Sequence, residues 1–334
     1  MKTGIFCRYE NYDRDPICSF KDQVKLIRHA ESLGFNEAWV TEERVNSSSV
    51  IPSLILLARL ADITSKIRLG SAAILSEFHS PIGLAEHIAT IDNFCQGRFA
   101  LGIGKSDPLP KPNKPSSRSI GESHAKALES MEMLCHILHH HKQVFQGRHY
   151  QFDGRGIFPE PIQRSMPIYV ASGDEDSIEF AANRSFGLIG NTTASLSKLK
   201  RNVELYRSIN SSGSENMRLI RFFFVARTYD EAASEALPFI RNFSAKMKSY
   251  SIKVFQRGSH QYFKLLNCQS SFNEEELLAK SIIGDAATCR RKLQKIQEGL
   301  KLETLILQPA SFNFRKNMES LTRYDQEVRA CVVS

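Results

Sequence analysis

Four short segments carry residue types suited to chemistry. Glu42, Glu43 and Arg44 follow the run EAWVT, His79 follows a strand-like run, Lys105 follows FALGIG, and Ser172, Gly173, Asp174 and Ser177 follow IYVA. Adjacent carboxylates beside an arginine suit acid or base work, because a like-charged neighbour raises one carboxyl pKa. The same three charges are equally ordinary at the exposed end of a strand. Ser172, Gly173 and Ser177 crowd a strand-to-helix junction, where free backbone N–H groups and the helix dipole favour an anion such as phosphate. Asp174, Glu175 and Asp176 bring like charge to that junction. Asp176 and Glu179, three apart, fit a capping box that starts the helix.

Other chemistries are excluded on spacing. GIGKS resembles the end of a phosphate-binding loop, but Phe99 stands where that motif needs its first glycine. Lys105 still stands where it can meet an anion, or remain a solvated loop lysine. His139, His140 and His141 are consecutive, so on a helix their rings diverge, and no metal set is expected there. Seven cysteines are scattered without a CxxC pair, which predicts reduced thiols rather than disulfides or zinc. A net charge of +8 is spread among interspersed acids and bases, the pattern of a solvated surface and not of a nucleic-acid-binding face. No apolar run approaches the length that spans a bilayer, and MKTGIFCRYE lacks a secretory h-region, so the expected location is the cytoplasm.

The elements that hold these corners alternate. Strand-like runs TGIFC, EAWVT, KIRLGSAAIL, RFALGI, IYVAS, LIG, RLIRFFFVA and ETLILQ are separated by segments of helical period. Gly34 supplies a helix C-cap, Ser80-Pro81 a helix start, and Leu84, Ile88, Ile91 and Cys95 a core-facing stripe. An earlier helix shows Leu54, Leu57, Ala58 and Ala61 at helical spacing, and a later long helix shows Ala127, Met131, Leu134 and Leu138 along one face. QVFQGRHYQF reads as a small hairpin. The 105–120 segment, rich in proline, lysine and serine, predicts a mobile loop, and residues 230–280 read as a helical insertion. Eight strands each trailed by a helix predict one α/β domain over residues 1–334, a (β/α)8 TIM barrel, with a doubly wound open sheet as the alternative. Chemistry in such a barrel belongs at the carboxyl ends of the strands.

The segments AESLGFNEAWVTEE, SKIRLGSAAIL, SPIGLAEHIATIDNFCQGRFALGIGK and PIYVASGDEDSIEFAA, in that order, make the chain resemble the bacterial-luciferase-like flavin monooxygenases. A weaker echo lies in IIGDAATCRRKLQKIQEGLKLETLIL. The resemblance implies reduced FMN, supplied by a separate flavin reductase, or in some branches F420. It implies a non-prolyl cis peptide at Ser71, Ala72 and Ala73 against the flavin ring, and a phosphate tail held at Lys105 and at Gly173, Asp174 and Ser177. It further implies a homodimer and a small organic substrate oxygenated with O2. Three features depart from the family pattern: Glu43 and Arg44 replace its strand-two histidines, His79 is displaced by one from its usual place, and Asp174 replaces one serine of the phosphate helix. The resemblance therefore leaves Glu42, Glu43, Arg44 and His79 as the polar groups near the ring. A deazaflavin enzyme and a non-catalytic partner subunit are the other readings it allows.

Overall fold

Each short apolar run becomes a strand, and each segment of 3.6-residue period becomes a helix laid over it, because only alternate burial on both faces satisfies so many apolar positions. A computed structural model describes residues 1–8, 16–42, 52–105, 120–140, 142–211, 216–256 and 272–330. The first half runs β1 (Lys2–Cys7), α1 (Pro16–Ser32), β2 (Glu37–Val40), α2 (Ser53–Ile63), β3 (Arg68–Ser71), β4 (Ile74–Leu75), α3 (Pro81–Phe94), β5 (Phe99–Gly104) and α4 (Ile120–His139). The hairpin strands β6 (Phe145–Gln146) and β7 (Gln151–Phe152) follow, then β8 (Ile168–Val170), α5 (Glu175–Asn183), β9 (Gly187–Gly190) and α6 (Leu196–Ile209). The chain continues with β10 (Arg218–Val225), α7 (Tyr229–Gln256), α8 (Glu274–Lys280), β11 (Ile282–Gly284), α9 (Ala286–Gly299), β12 (Thr304–Pro309) and α10 (Phe314–Arg323).

The strands β1, β2, β3, β5, β8, β9, β10 and β12 pair in parallel in the order β10-β12-β1-β2-β3-β5-β8-β9, and β9 pairs in turn with β10, so the sheet closes on itself. The fold is a (β/α)8 TIM barrel, and the open-sheet alternative is discarded. β6 and β7 form the expected antiparallel hairpin. Gly34 ends the α1 turn at φ +75°, a conformation glycine adopts without steric cost. Pro81 takes the first helical position of α3, although the Ser80 hydroxyl makes no capping bond.

Three details differ from the sequence reading. The buried stripe of α2 is Leu56, Leu57, Leu60 and Ala61, with Leu54 and Ala58 at its half-buried flank. The capping residue of α5 is Asp174 and not Asp176: Asp174 accepts from the Ser177 N–H at 3.1 Å, and Glu175 already opens the helix. Within 230–280, α7 and α8 are helical, and the extra strand β11 then pairs with the end of β10. Residues 106–119 of the expected loop and 257–271 of the expected insertion lie outside the described residues.

One side chain from each stave fills the barrel: Phe6, Trp39, Ala72, Ala100, Tyr169, Ile189, Ile220 and Ile306. A Cβ on Gly70 would come within 2.4 Å of the Trp39 ring, so the indole occupies space that only glycine leaves. Beneath this layer lies an ion pair. Arg218 donates from Nη2 to Glu37 Oε1 at 2.8 Å and from Nε to Oε2 at 3.1 Å, and both side chains are 3% exposed. Trp39 Nε1 donates to the same carboxylate at 2.8 Å, and the guanidinium lies 3.9 Å from the centre of the Tyr169 ring. Burial, only partly offset by Arg218, pushes the Tyr169 phenol up to about 12.

Cys7, Cys95, Cys135 and Cys289 are free thiols in the core. Burial raises all four, Cys135 and Cys289 to about 12. Among the described residues no helix is long and apolar enough to cross a membrane.

Candidate functional site at the carboxyl rim

The alternation of strand side chains places small residues together on one wall of the rim. Ala72 and Ala73 follow β3, Gly104 ends β5, and Ala171 follows β8. A Cβ on Gly104 would meet Ala171 O at 3.2 Å and Ala73 Cβ at 3.3 Å, so the backbone here is flat and closely approached. The Ala72–Ala73 peptide is cis. It lies in the gap between β3, which pairs with β5 up to Gly70 and Ala100, and β4, which resumes at Ile74 and Ile103. Ser71 closes that gap with its hydroxyl, accepting from Gly102 N at 3.0 Å and donating to Gly102 O at 2.9 Å. The break exposes a peptide face and small methyl groups instead of a continuous ladder.

At one end of the wall sits a charged cluster built on the start of α5. Lys105 Nζ donates to Asp174 Oδ1 at 2.8 Å, and the other Asp174 oxygen accepts from Ser177 Oγ at 2.9 Å and from Ser172 Oγ. Burial pushes the Asp174 carboxyl up, but the bonds from Lys105, Ser172 and Ser177 outweigh it and hold the group at about 2. Gly173 has no side chain, and a Cβ there would lie 3.4 Å from Lys198 Nζ and 3.5 Å from Asn202 Nδ2. Thus Lys105 is neutralised by Asp174, while Lys198 adds a second cation over the bare Gly173 backbone. The bare Gly173 backbone, the Lys198 ammonium and the α5 N-terminus fit an anionic tail, with Lys105 beside them in its ion pair with Asp174, and the small-residue wall fits a flat ring.

The depressed Asp174 pKa has a measurable consequence. The ionised form is favoured in the fold, so its contribution to stability is complete above about pH 4 and disappears as the pH falls through about 2. After allowance for solvent screening at this half-buried site, the loss is about 1–2 kcal/mol. Asp174→Asn is expected to remove that part of the acid dependence, read by urea unfolding between pH 5 and 2. A variant with the same acid slope as the parent would contradict the assignment.

At the opposite end of the wall, the structure brings together two residues that the sequence presents separately. His79 Nε2 lies 3.0 Å from Glu42 Oε2 and 3.1 Å from Oε1, with Glu42 3% exposed at its side chain. Glu42 Oε2 also accepts from the Leu75 N–H at 3.3 Å, directly after the strand break. Glu42 therefore holds the imidazole and the restarted strand in one place. Glu43 and Arg44 lie outside the described residues. Lys198 and Asn202 were not evident in the sequence. Their one signal is position, in the first two turns of a helix that Ser195 caps through the Lys198 N–H at 3.2 Å.

Comparison with known proteins agrees with this geometry. A family model described as luciferase-like monooxygenase matches residues 1–301. The alkanal monooxygenase alpha chain of the Kryptophanaron alfredi symbiont is 24% identical over 286 residues, covering 82% of this chain and 74% of that protein. An uncharacterized protein y4vJ of Sinorhizobium fredii is 26% identical over 56% of this chain, which spans only about half (53%) of that relative's length. Among solved structures, monooxygenase RslO1 from Streptomyces bottropensis superposes with a TM-score of 0.80 at 20% identity, covering 99% of this chain and 100% of that one. The oxygenating constituent of 3,6-diketocamphane monooxygenase from Pseudomonas putida, in complex with FMN, gives 0.76 at 19% identity with 98% of each chain covered. An F420-dependent secondary alcohol dehydrogenase gives 0.76 at 15%, with 99% of each covered. These likenesses establish the fold, and the match over residues 1–301 establishes that the chain belongs to the luciferase-like monooxygenase family.

Proposed function

We propose that the chain is the oxygenase component of a two-component flavin monooxygenase, which takes reduced FMN from a separate reductase and uses O2 to oxygenate a small organic substrate. In this reading it acts in the cytoplasm as a homodimer. The observation that carries the reading is the junction of a flat small-residue wall with a two-lysine anion cradle on the same rim. Ser71, Ala72 and Ala73 bear on the ring face, and Lys105, Ser172, Gly173, Asp174, Ser177 and Lys198 surround the phosphate. Bound reduced flavin supplies the electrons that activate O2. Glu42 orients His79, and the pair holds or releases a proton at His79 Nε2. Glu43 and Arg44, directly after Glu42 in the sequence, belong to the same proposal as further polar groups.

Anaerobic titration with reduced FMN and with reduced F420 tests the cofactor, followed by oxygen consumption with the FMN-loaded protein. Saturable binding of reduced FMN with a Kd on the order of micromolar, and oxygen uptake that depends on it, are expected. Tight binding of F420 without FMN binding would assign a deazaflavin hydride-transfer enzyme instead. Binding of FMN with no oxygen uptake beyond that of free flavin would assign a non-catalytic subunit.

A further inference from the structure

Gln308 stands on β12 two residues past Ile306, whose side chain fills the barrel interior. By strand alternation its own side chain points into the ring one layer nearer the carboxyl rim. The residue is 3% exposed. Thr192, two residues past β9, donates its hydroxyl to Gln308 Oε1 at 3.2 Å, while Nε2 has no partner among the described residues. An idle buried donor is a standing cost to folding, and native interiors hold few of them.

Its strand neighbours are aromatic, and one guanidinium stands beyond them. Phe222 of β10 pairs with Gln308 in register, and Phe6 of β1 follows the Ile5–Leu307 pair to stand at the same level. Phe222 packs edge-on against Phe239 and Phe243 of α7, with ring centroids 5.6 and 4.9 Å apart. The Arg8 guanidinium, just past β1, lies 5.3 Å from the Phe243 ring, so α7 covers this side of the mouth. In the ring order β12 is four staves from β5 in either direction, hence diametrically opposite the small-residue wall. A flat ring against that wall leaves its free face toward Gln308 and its two phenylalanines.

We propose that Gln308 determines substrate specificity: its idle amide N–H hydrogen-bonds the carbonyl oxygen of an otherwise apolar ketone held between the phenylalanines and the flavin wall. A buried donor between aromatic side chains rewards one acceptor oxygen and leaves the rest of the ligand to shape. This assignment rests on the flavin reading above for the position of the wall's occupant.

Trp39 is the chain's single tryptophan and lies in the interior layer, so its emission reports entry into the barrel. 2-Octanone, 1-octanol and octane are titrated into the apoprotein and into protein saturated with oxidised FMN. The parent is expected to bind the ketone about tenfold more tightly than the alkane, a preference that Gln308→Leu abolishes. Oxidised FMN should bind parent and variant alike, and the thermal midpoint of Gln308→Leu should equal or exceed the parent's, because an idle polar group is gone. Gln308→Asn, which keeps the amide but withdraws it by one methylene, should retain part of the preference. Equal binding of ketone and alkane by the parent, binding of neither, preference for the alcohol alone, or a ketone preference that survives in Gln308→Leu overturns the assignment. So does a loss of FMN affinity in that variant, which would place the amide against the flavin. Failure of the parent to bind FMN at all sinks the flavin reading instead, and the ketone preference is still read on the apoprotein.

Discussion

Replacing Arg218 by leucine is expected to lower the unfolding free energy by about 3–5 kcal/mol, because the Glu37 carboxyl would be left almost sealed from water with only Trp39 and Thr304 as partners. The arginine joins the first residue of β2 to the first residue of β10 across the floor of the barrel, and it also reaches Glu303 at 3.1 Å. Leucine at both positions 37 and 218 should recover most of the loss, since an apolar pair leaves no buried charge unmet. Urea unfolding of the two single variants and the double variant measures this coupling. A loss below about 1 kcal/mol in Arg218→Leu would mean that water reaches Glu37 after all.

The second large effect concerns the cofactor. The double variant Lys105→Ala/Lys198→Ala is expected to bind oxidised FMN about 100-fold more weakly than the parent, near 1.4 kcal/mol for each tenfold step. Riboflavin, which has the ring but no phosphate, should bind parent and variant equally. Flavin fluorescence titration reads both ligands. The comparison isolates the anionic tail, because the lysines stand at Gly173 and Asp174 while the ring wall is made of alanine and glycine. A fall of less than threefold for FMN, or an equal fall for riboflavin, would place the phosphate elsewhere.

The barrel itself was legible because strand and helix periods alternate without interruption through most of the chain, and parallel strands joined by helices have few ways to pack. β11 escaped notice since three residues, IIG, are too few to display a period. The α5 cap was placed two residues late for a related reason. Asp174 and Asp176 are both competent caps, and the Lys105 contact from another strand end favours the first. The polar rim was less legible than its scaffold. Glu42 and His79 sit 37 residues apart, and Lys105 and Asp174 69 apart, so each pair forms only when the ring closes. Gln308 and Lys198 carry no local signature at all: an amide in an apolar strand and a lysine in a first helical turn are ordinary until their neighbours are known. The residues Ser71 to Ala73 announce only that side chains are small there, and the break in the ladder that Ser71 bridges is a tertiary event.

The sealed sulfur atoms bear on durability in service. Reduced flavin that meets oxygen without a substrate gives off hydrogen peroxide, and the sulfur species that peroxide attacks is the thiolate. With Cys135 and Cys289 held near 12, and Cys7 and Cys95 also raised, these four stay protonated at neutral pH and out of reach of dissolved oxidant. On the flavin reading proposed above, a corrosive by-product of that kind would meet these four core sulfur atoms in their inert form.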